Sequence, residues 1–240
     1  MNKLQRDIRR FFYINRHSGG SREHELSYNG HKIYYNTSTN IHGDKHTVII
    51  DGGRDAGRRP CFQMTMTNKV AVLQSLERGE DCFVDRHDNT RNLVEAAFQL
   101  AKSEGCVRFE LTDNSYKSCV PHRFNLADVS FLTTGQTWYE SILPIKILKR
   151  DESEIAELRR RASVLKWVDV YTYLLKFNVD MGFIDFSDID VSAEGSARVV
   201  LNKIKAMRND ISCKFFAENT SRILFIANIP SFYGTSWGFN

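Results

Sequence analysis

Residues 93–113 read LVEAAFQLAKSEGCVRFELTD, and this stretch predicts a helix followed by a strand. Its first apolar residues recur at the spacing that places side chains on one face of a helix: Leu93, Ala96, Ala97, Leu100 and Ala101. Gly105 is a typical helix stop. Apolar residues then alternate with polar ones over 107–112, which is the period of a strand with one buried face. A helix that leads into a strand predicts an α/β domain.

A second helix is predicted beyond that strand, over residues 126–133. Asn125 is a suitable N-cap, because its side chain can accept a hydrogen bond from a free amide of the first turn. Gly135 can end the helix in the left-handed conformation that glycine adopts without strain. The fold class that follows is α/β (α+β), with a mixed sheet and flanking helices.

Four residues near the ends of these elements are candidates for a pocket or for a structural junction: Asp113, Asn114, Gly135 and Trp138. Asp113 and Asn114 follow the strand at its carboxyl end, where ligands tend to bind in open α/β sheets. Trp138 and the neighbouring Tyr139 have polar tips that can reach hydrogen-bond partners. The alternative is a turn capped by Asp113 and an anchor at Trp138, and we weigh that junction above the pocket.

Composition limits the class of protein. A chain of 240 residues with 42% hydrophobic content can bury a core in one large domain or two small ones. No apolar run is long enough for a membrane span, and the first residues lack the apolar stretch of a signal peptide. Five scattered cysteines suit a reducing compartment. We therefore expect free thiols, no membrane association and a cytoplasmic location.

Strands are predicted for the first part of the chain. Asn29-Gly30 lies between apolar flanks, which is a strong signal for a β-hairpin because the type I′ turn needs two positive φ angles. Two more strands are predicted at 47–50 and 61–66, which gives an antiparallel meander. A short helix is predicted at 69–78, where Val70, Leu73 and Leu76 share a helical face.

The character of the chain changes near Lys149, so we expect an α/β domain over 1–148 and a helical, aromatic-rich region over 149–240. Acidic residues at 151–154 predict the start of a long helix whose apolar face continues to Val168. A further helix is predicted at 197–207. The aromatic residues after Cys213 are expected to pack, because leaving them in water is costly.

The order of strands, helix, strand and helix over roughly 45–140 resembles the core of the GNAT acyltransferase fold. In that family a loop of the form Arg/Gln-x-x-Gly-x-Gly/Ala leads into a helix whose amides bind the pyrophosphate of acetyl-CoA. The loop falls at 86–91, where Arg86 matches and the two glycine positions hold Asn89 and Arg91. The resemblance implies that Arg86, Asn89 and Arg91 contact the cofactor and that Tyr139 acts as general acid.

Three further pieces resemble proteins of nucleocytoplasmic large DNA viruses whose function is uncharacterised. They are residues 110–115, residues 132–140, and the tail from 213 to 237. This resemblance implies a viral protein in the host-cell cytoplasm or the virion, and it implies no activity.

Arg6, Arg9 and Arg10 stand beside three aromatic residues at 11–13. Arginine and aromatic side chains together can bind a nucleic acid through phosphate contacts and stacking. The alternative is a solvated helix surface whose aromatic side chains join the core, and we favour that interpretation.

No complete catalytic or metal motif is present. Cys119 and His122 have the spacing of two zinc ligands, but no second pair accompanies them. With Asp113 they also supply the residue types of a thiol nucleophile, base and orienting acid, although proximity in sequence does not align such groups. We therefore predict no metal and, outside the acyltransferase alternative, no cofactor.

The function expected from the sequence is a non-enzymatic interaction or scaffold module that binds a protein partner or itself. The first alternative is an acyl-CoA-dependent N-acyltransferase with acetyl-CoA as cofactor. The second alternative is nucleic-acid binding through the basic N-terminal residues.

Overall fold

The computed structural model describes residues 22–28, 31–42, 45–52, 62–76, 89–148, 150–187, 189 and 195–239. This described part holds ten strands and six helices, so the chain is a mixed α/β protein with a mixed sheet. Two compact units form: unit 1 is Met1–Thr112 with Trp237–Asn240, and unit 2 is Asp113–Ser236. Their bounds differ from the division near Lys149 that the sequence suggests.

Unit 1 begins with an antiparallel meander in which each strand pairs with the next. Its strands are β1 (Arg22–Tyr28), β2 (His31–His42), β3 (Lys45–Gly52), β4 (Phe62–Thr67) and β5 (Val70–Leu76). Tyr28 pairs with His31, which confirms the predicted hairpin pairing, while Asn29-Gly30 itself lies outside the described residues. The predicted strand at 47–50 is confirmed as part of β3, and the one predicted at 61–66 is confirmed from residue 62 onward as part of β4.

The predicted helix at 69–78 is wrong, because residues 70–76 form strand β5. Asn68 and Lys69 have positive φ angles of 52° and 63°, so they make a tight turn that pairs Thr67 with Val70. Beyond the turn, burial alternates along β5, with Ala71 and Leu73 fully or almost fully buried. The β-branched valines at 70 and 72 favour a strand, and the pairing with β4 overrides the weak helical periodicity.

The helix and the strand predicted over residues 93–113 are confirmed. Helix α1 (Asn89–Ser103) is terminated by the turn at Gly105, whose φ is +74°, and strand β6 (Arg108–Asp113) follows. Strand β6 lies parallel to β5, with Val70 opposite Arg108, and α1 connects the two. Phe109 of β6 is fully buried and meets Phe98 of α1 edge to face at 5.5 Å. Strand β10 (Thr235–Phe239) is the next neighbour of β6 in the sheet.

Unit 2 combines a short hairpin with helices. Its elements are β7 (Tyr116–Cys119), β8 (His122–Asn125), α2 (Leu126–Thr134), β9 (Lys146–Ile147), α3 (Glu152–Val164), α4 (Trp167–Lys176), α5 (Ala197–Ala206) and α6 (Asn209–Ile226). Asn125 caps α2 by accepting from the Asp128 amide at 3.0 Å, as predicted. The helix predicted at 197–207 is also confirmed.

The long helix predicted from 151 to Val168 is two helices. Asp151 caps the first, and the chain becomes extended at Leu165 and Lys166 before the second begins. The break allows the Trp167 amide to donate to the Gly195 carbonyl at 2.8 Å. Trp167 is buried in the core of unit 2, where its ring lies 6.5 Å from that of Phe215. Burial of the apolar indole ring favours the break in the helix.

None of the helices in the described ranges is both long and apolar enough to cross a bilayer.

Candidate functional site

Asp113 stands at the end of β6 and is fully buried. Its Oδ1 accepts hydrogen bonds from the Ser115 amide at 2.9 Å and from the Ser115 hydroxyl, which closes the predicted turn. Its Oδ2 is buried and makes no hydrogen bond. Burial raises the pKa of Asp113, and the negative charge of Asp128 raises it further, whereas the bonds from Ser115 lower it.

Asp128 is a second buried carboxylate, 5% exposed, in the first turn of α2. Its two oxygens accept from the Phe232 amide at 2.6 Å and from the Ser231 hydroxyl at 2.7 Å. Burial raises the pKa of Asp128, and these bonds oppose that effect. The Gly234 amide donates to the Asp113 carbonyl at 2.8 Å. We call Asp113, Asp128 and the turn 231–234 the acidic junction.

Tyr139, the expected general acid, is 7% exposed. Burial raises the pKa of its phenol well above the ordinary value, and the negative charge of Asp113 adds to the effect. The phenol is therefore protonated at neutral pH. Its ring packs edge to face on Trp138, with ring centroids 4.9 Å apart.

Gly135 ends α2 in the left-handed conformation, with φ +83°, and its amide donates to the Phe131 carbonyl at 2.8 Å, as the sequence predicts. Two cations surround this helix end. Arg159 Nε donates to the Gly135 carbonyl at 3.1 Å, and Arg198 Nη2 lies 2.9 Å from where a Cβ would stand. Positive charge suits the carboxyl end of a helix dipole. Because Gly135 has no Cβ, it leaves room for Arg198 at this end, which is a structural role.

Trp138 lines a cavity of unit 2 with a volume of about 230 Å³. Its apolar wall includes the rings of Phe124 and Phe216, 5.6 Å apart, and the side chain of Val129. Asp113, Asn114 and Gly135 are not among its lining residues. We call this space the Trp138 cavity.

Two lysines belong to the Trp138 cavity, Lys117 from β7 and Lys205 from the last turn of α5. The Lys205 ammonium makes a long hydrogen bond of 3.5 Å to Thr133 Oγ1, and Lys117 Nζ lies 6.0 Å from the centre of the Phe124 ring. Partial burial lowers the pKa of Lys205, and the positive charge of Lys117 lowers it further. Within the described residues, neither lysine forms an ion pair with an acid.

The expectation of free thiols is wrong for two cysteines. Cys119, at the tip of the β7–β8 hairpin, forms a disulfide with Cys213 of α6, while Cys106 is free. Both bonded cysteines line the larger cavity, about 420 Å³, together with His122 and Lys214. A cysteine in a disulfide has no free thiolate, so Cys119 cannot act as the nucleophile of a catalytic site while this bond is intact. Cys61 and Cys82 lie outside the described residues.

The expected cofactor residues belong to unit 1. Asn89 begins α1, and Arg91 is exposed, with its Nε 3.0 Å from Glu95 Oε1 one turn along the helix. Arg86 lies outside the described residues, as do Arg6, Arg9 and Arg10. In unit 2, Asn114 is exposed beyond β6. The structure brings Trp138, Tyr139 and Asp113 into one unit, and Tyr139 and Asp113 do not line the cavity that Trp138 lines.

Comparison with known proteins adds nothing to this geometry, since no family model, curated protein or solved structure matches the chain. In the described parts of the chain, no group of three or more acidic, histidine or cysteine side chains is arranged to hold a metal ion.

Sequence reasoning missed Asp128, Lys117 and Lys205. Asp128 has the position of an ordinary acidic residue in a first helical turn, where it suits the dipole. Lys117 and Lys205 are far apart in sequence and come together only through the packing of the hairpin and α5 around the Trp138 cavity. No local pattern marks such a pair.

Proposed function

We propose that the protein is a non-enzymatic interaction module that binds an acidic, apolar segment of a partner protein. The observation that carries the proposal is an exposed aromatic surface on unit 2, formed by Tyr173, Phe177 and Phe225. Phe177 is 54% exposed and Phe225 is 72% exposed. Their rings lie 4.7 Å and 6.2 Å from that of Tyr173.

Contiguous exposed aromatic side chains are typical of a binding surface, whereas single exposed apolar residues are common everywhere. Aromatic side chains also supply much of the binding energy at protein interfaces, because they bury a large area at a small cost in conformational entropy. The other aromatic residues of the helical region, such as Phe215 and Phe216, are buried and support the fold. The aromatic surface is therefore proposed as the contact site.

Charge favours an acidic partner. Lys176 precedes Phe177 at the end of α4, and Arg222 lies one turn before Phe225 on α6. Arg222 Nη1 donates to the Glu218 carbonyl and to Asn219 Oδ1 at 3.5 Å, which are neutral acceptors. Two cations beside an apolar surface attract a segment whose apolar anchors are flanked by Asp or Glu.

The test uses a labelled helical peptide with Leu and Phe anchors between Glu residues, titrated with the full chain and followed by fluorescence anisotropy. We expect binding that weakens as salt rises and that Phe225→Ser reduces at least tenfold. Val199→Ser is the matched control, because Val199 is also exposed, at 54%, but lies on a different helix, α5, from the three aromatic residues.

If a peptide with Lys in place of Glu binds with equal affinity, the proposal that the partner segment is acidic is contradicted. Sedimentation of the full chain separates self-association from this proposal. A dimer that Phe225→Ser dissociates would assign the aromatic surface to a second copy of the chain instead.

A second proposed function is acyl-CoA-dependent N-acyl transfer on a GNAT-like core. It is favoured by the parallel pair β5 and β6 with α1 between them, since the expected phosphate loop at 86–91 leads into α1. Acetyl-CoA at a hundred times its dissociation constant would then stabilise the chain by about 2.7 kcal/mol. The measurement is the thermal unfolding midpoint with acetyl-CoA and with adenosine as control, and no shift would remove this function.

A further inference from the structure

The Trp138 cavity has the size of a small ligand. Its volume of about 230 Å³ exceeds the roughly 150 Å³ of an apolar cavity that takes up benzene. It is smaller than the roughly 300–1,000 Å³ of sites that hold drug-sized molecules. One aromatic ring with a short side chain, or a short alkyl chain, fits this space.

The walls of the cavity are apolar where they are deepest. Phe216 is fully buried, and Val129 and Phe124 are 2% and 9% exposed. The Trp138 ring adds an aromatic face that is held in place by its edge contact with Tyr139. A ligand body in this cavity would therefore be apolar, since a polar one would lose its hydrogen bonds to water.

The charges at the cavity have one sign. Lys117 and Lys205 both line it, and none of its described lining residues is acidic. Two ammonium groups that repel each other cost free energy in the empty protein, and a nearby carboxylate would remove that cost. The pairing of an apolar wall with two uncompensated cations is the arrangement that an amphiphilic anion needs.

We propose that the Trp138 cavity binds a small organic carboxylate, with its apolar body against Trp138, Phe124 and Phe216 and its carboxylate between Lys117 and Lys205. This site is separate from the aromatic surface of the proposed function, so either can fail without the other. The cavity is too small for the side of a protein helix, which favours a metabolite-sized ligand.

The first experiment compares phenylacetate with its neutral isostere phenylacetamide on the unaltered full chain, by calorimetry and by tryptophan fluorescence. We expect phenylacetate to bind at least tenfold more tightly and to change the fluorescence, because Trp138 is partly exposed while Trp167 and Trp237 are buried. Equal affinities for acid and amide would overturn the proposal. Phenyl phosphate that binds more than tenfold tighter than phenylacetate would overturn the carboxylate assignment.

The second experiment removes one cation at a time. Lys205→Met and Lys117→Met should each weaken phenylacetate at least tenfold and leave phenylacetamide within about twofold. Lys203→Met is the matched control, because Lys203 lies in the same last turn of α5 but does not line the cavity. Unchanged phenylacetate affinity in Lys205→Met would overturn the proposal, and the comparison of acid with amide does not depend on any variant folding.

Discussion

Unit 2 contains two clusters of charged side chains, which differ in how far the rest of the unit supplies them with polar or oppositely charged partners. At the acidic junction, three of the four carboxylate oxygens of Asp113 and Asp128 accept hydrogen bonds from backbone amides or hydroxyls of unit 2. At the Trp138 cavity, Lys117 and Lys205 both line the wall, and no acid among the described residues forms an ion pair with either. The chain itself supplies most of the partners of the two acids, whereas the described residues supply no acid to the two lysines, and this difference is the basis for proposing a ligand at the cavity.

The largest expected effect comes from the disulfide between Cys119 and Cys213. This bond links the β7–β8 hairpin, which carries Lys117, to α6, and it includes no residue of the acidic junction. It joins residues 94 apart in sequence, so it removes much chain entropy from the unfolded state. Reduction should lower the free energy of unfolding by about 2–5 kcal/mol, as measured by urea titration with and without a dithiol. Reduction should also weaken phenylacetate binding, because the hairpin that supplies Lys117 and Phe124 to the Trp138 cavity is then no longer bonded to α6.

The control is a Cys119→Ser, Cys213→Ser variant, whose stability should not respond to the dithiol. Mass spectrometry of the oxidised, unaltered chain should show one peptide pair containing Cys119 and Cys213. Equal stability of the two redox states would mean that the hairpin is held by its other contacts, such as Phe124 on Phe216.

Asp128→Ala tests the claim that the acidic junction is structural. The buried Phe232 amide would lose its acceptor, which costs about 1–3 kcal/mol. Chemical denaturation measures this loss. Asp128→Asn is the matched variant, since it keeps one acceptor oxygen and should lose less than alanine. A tolerated alanine would show that water replaces the carboxylate in this turn.

Asp113→Asn separates charge from hydrogen bonding at the same junction. A carboxyl whose pKa is raised in the folded state is destabilising when ionised, so stability falls as pH rises from about 4 through the raised pKa. Asparagine keeps an acceptor for Ser115 without the charge. We expect the variant to gain stability relative to the unaltered chain at pH 7 and to show no gain at pH 4.

The measurement is the free energy of unfolding of both chains at a series of pH values. The change with pH in the difference between them separates the effect of the charge from any constant effect of the substitution. A gain that is the same at pH 4 and pH 7 would mean that the charge on Asp113 is not what the substitution relieves.

The smallest effect is expected for Lys205→Met without ligand. If the lysine pair serves binding and not folding, its removal should change the free energy of unfolding by less than about 0.5 kcal/mol, or raise it slightly as the repulsion from Lys117 disappears. Thermal and urea unfolding measure this change. A loss comparable to that of Asp128→Ala would make the two clusters alike and assign Lys205 to the fold.

Local signals explain which parts of the fold the sequence predicts. Helix α2 follows from Asn125 and Gly135, because both caps act within one turn of their own position. Strand β5 does not follow, because Val70, Leu73 and Leu76 satisfy a helical spacing and only the turn at Asn68 and Lys69 makes them a strand.

The candidate site is less accessible to such reasoning. Trp138 was recognised from its chemistry and lines a cavity, yet the residues that give the cavity its charge belong to other elements. Asp113 was recognised as the end of a strand, but its partner Asp128 and the turn at 231–234 join it only through tertiary packing. Long-range pairing of this kind leaves no periodic trace in the sequence.

Strand β10 has a consequence for the order in which the chain can fold. Unit 1 takes its last segment, Trp237–Asn240, from a part of the chain that follows the whole of unit 2. During synthesis β6 therefore has an unpaired edge until residues 235–239 are made, and such edges are prone to wrong pairing with other chains. A ribosome-bound chain stopped after residue 148 would still expose this edge of β6, and a chaperone that binds strand edges is expected to bind the chain at that stage.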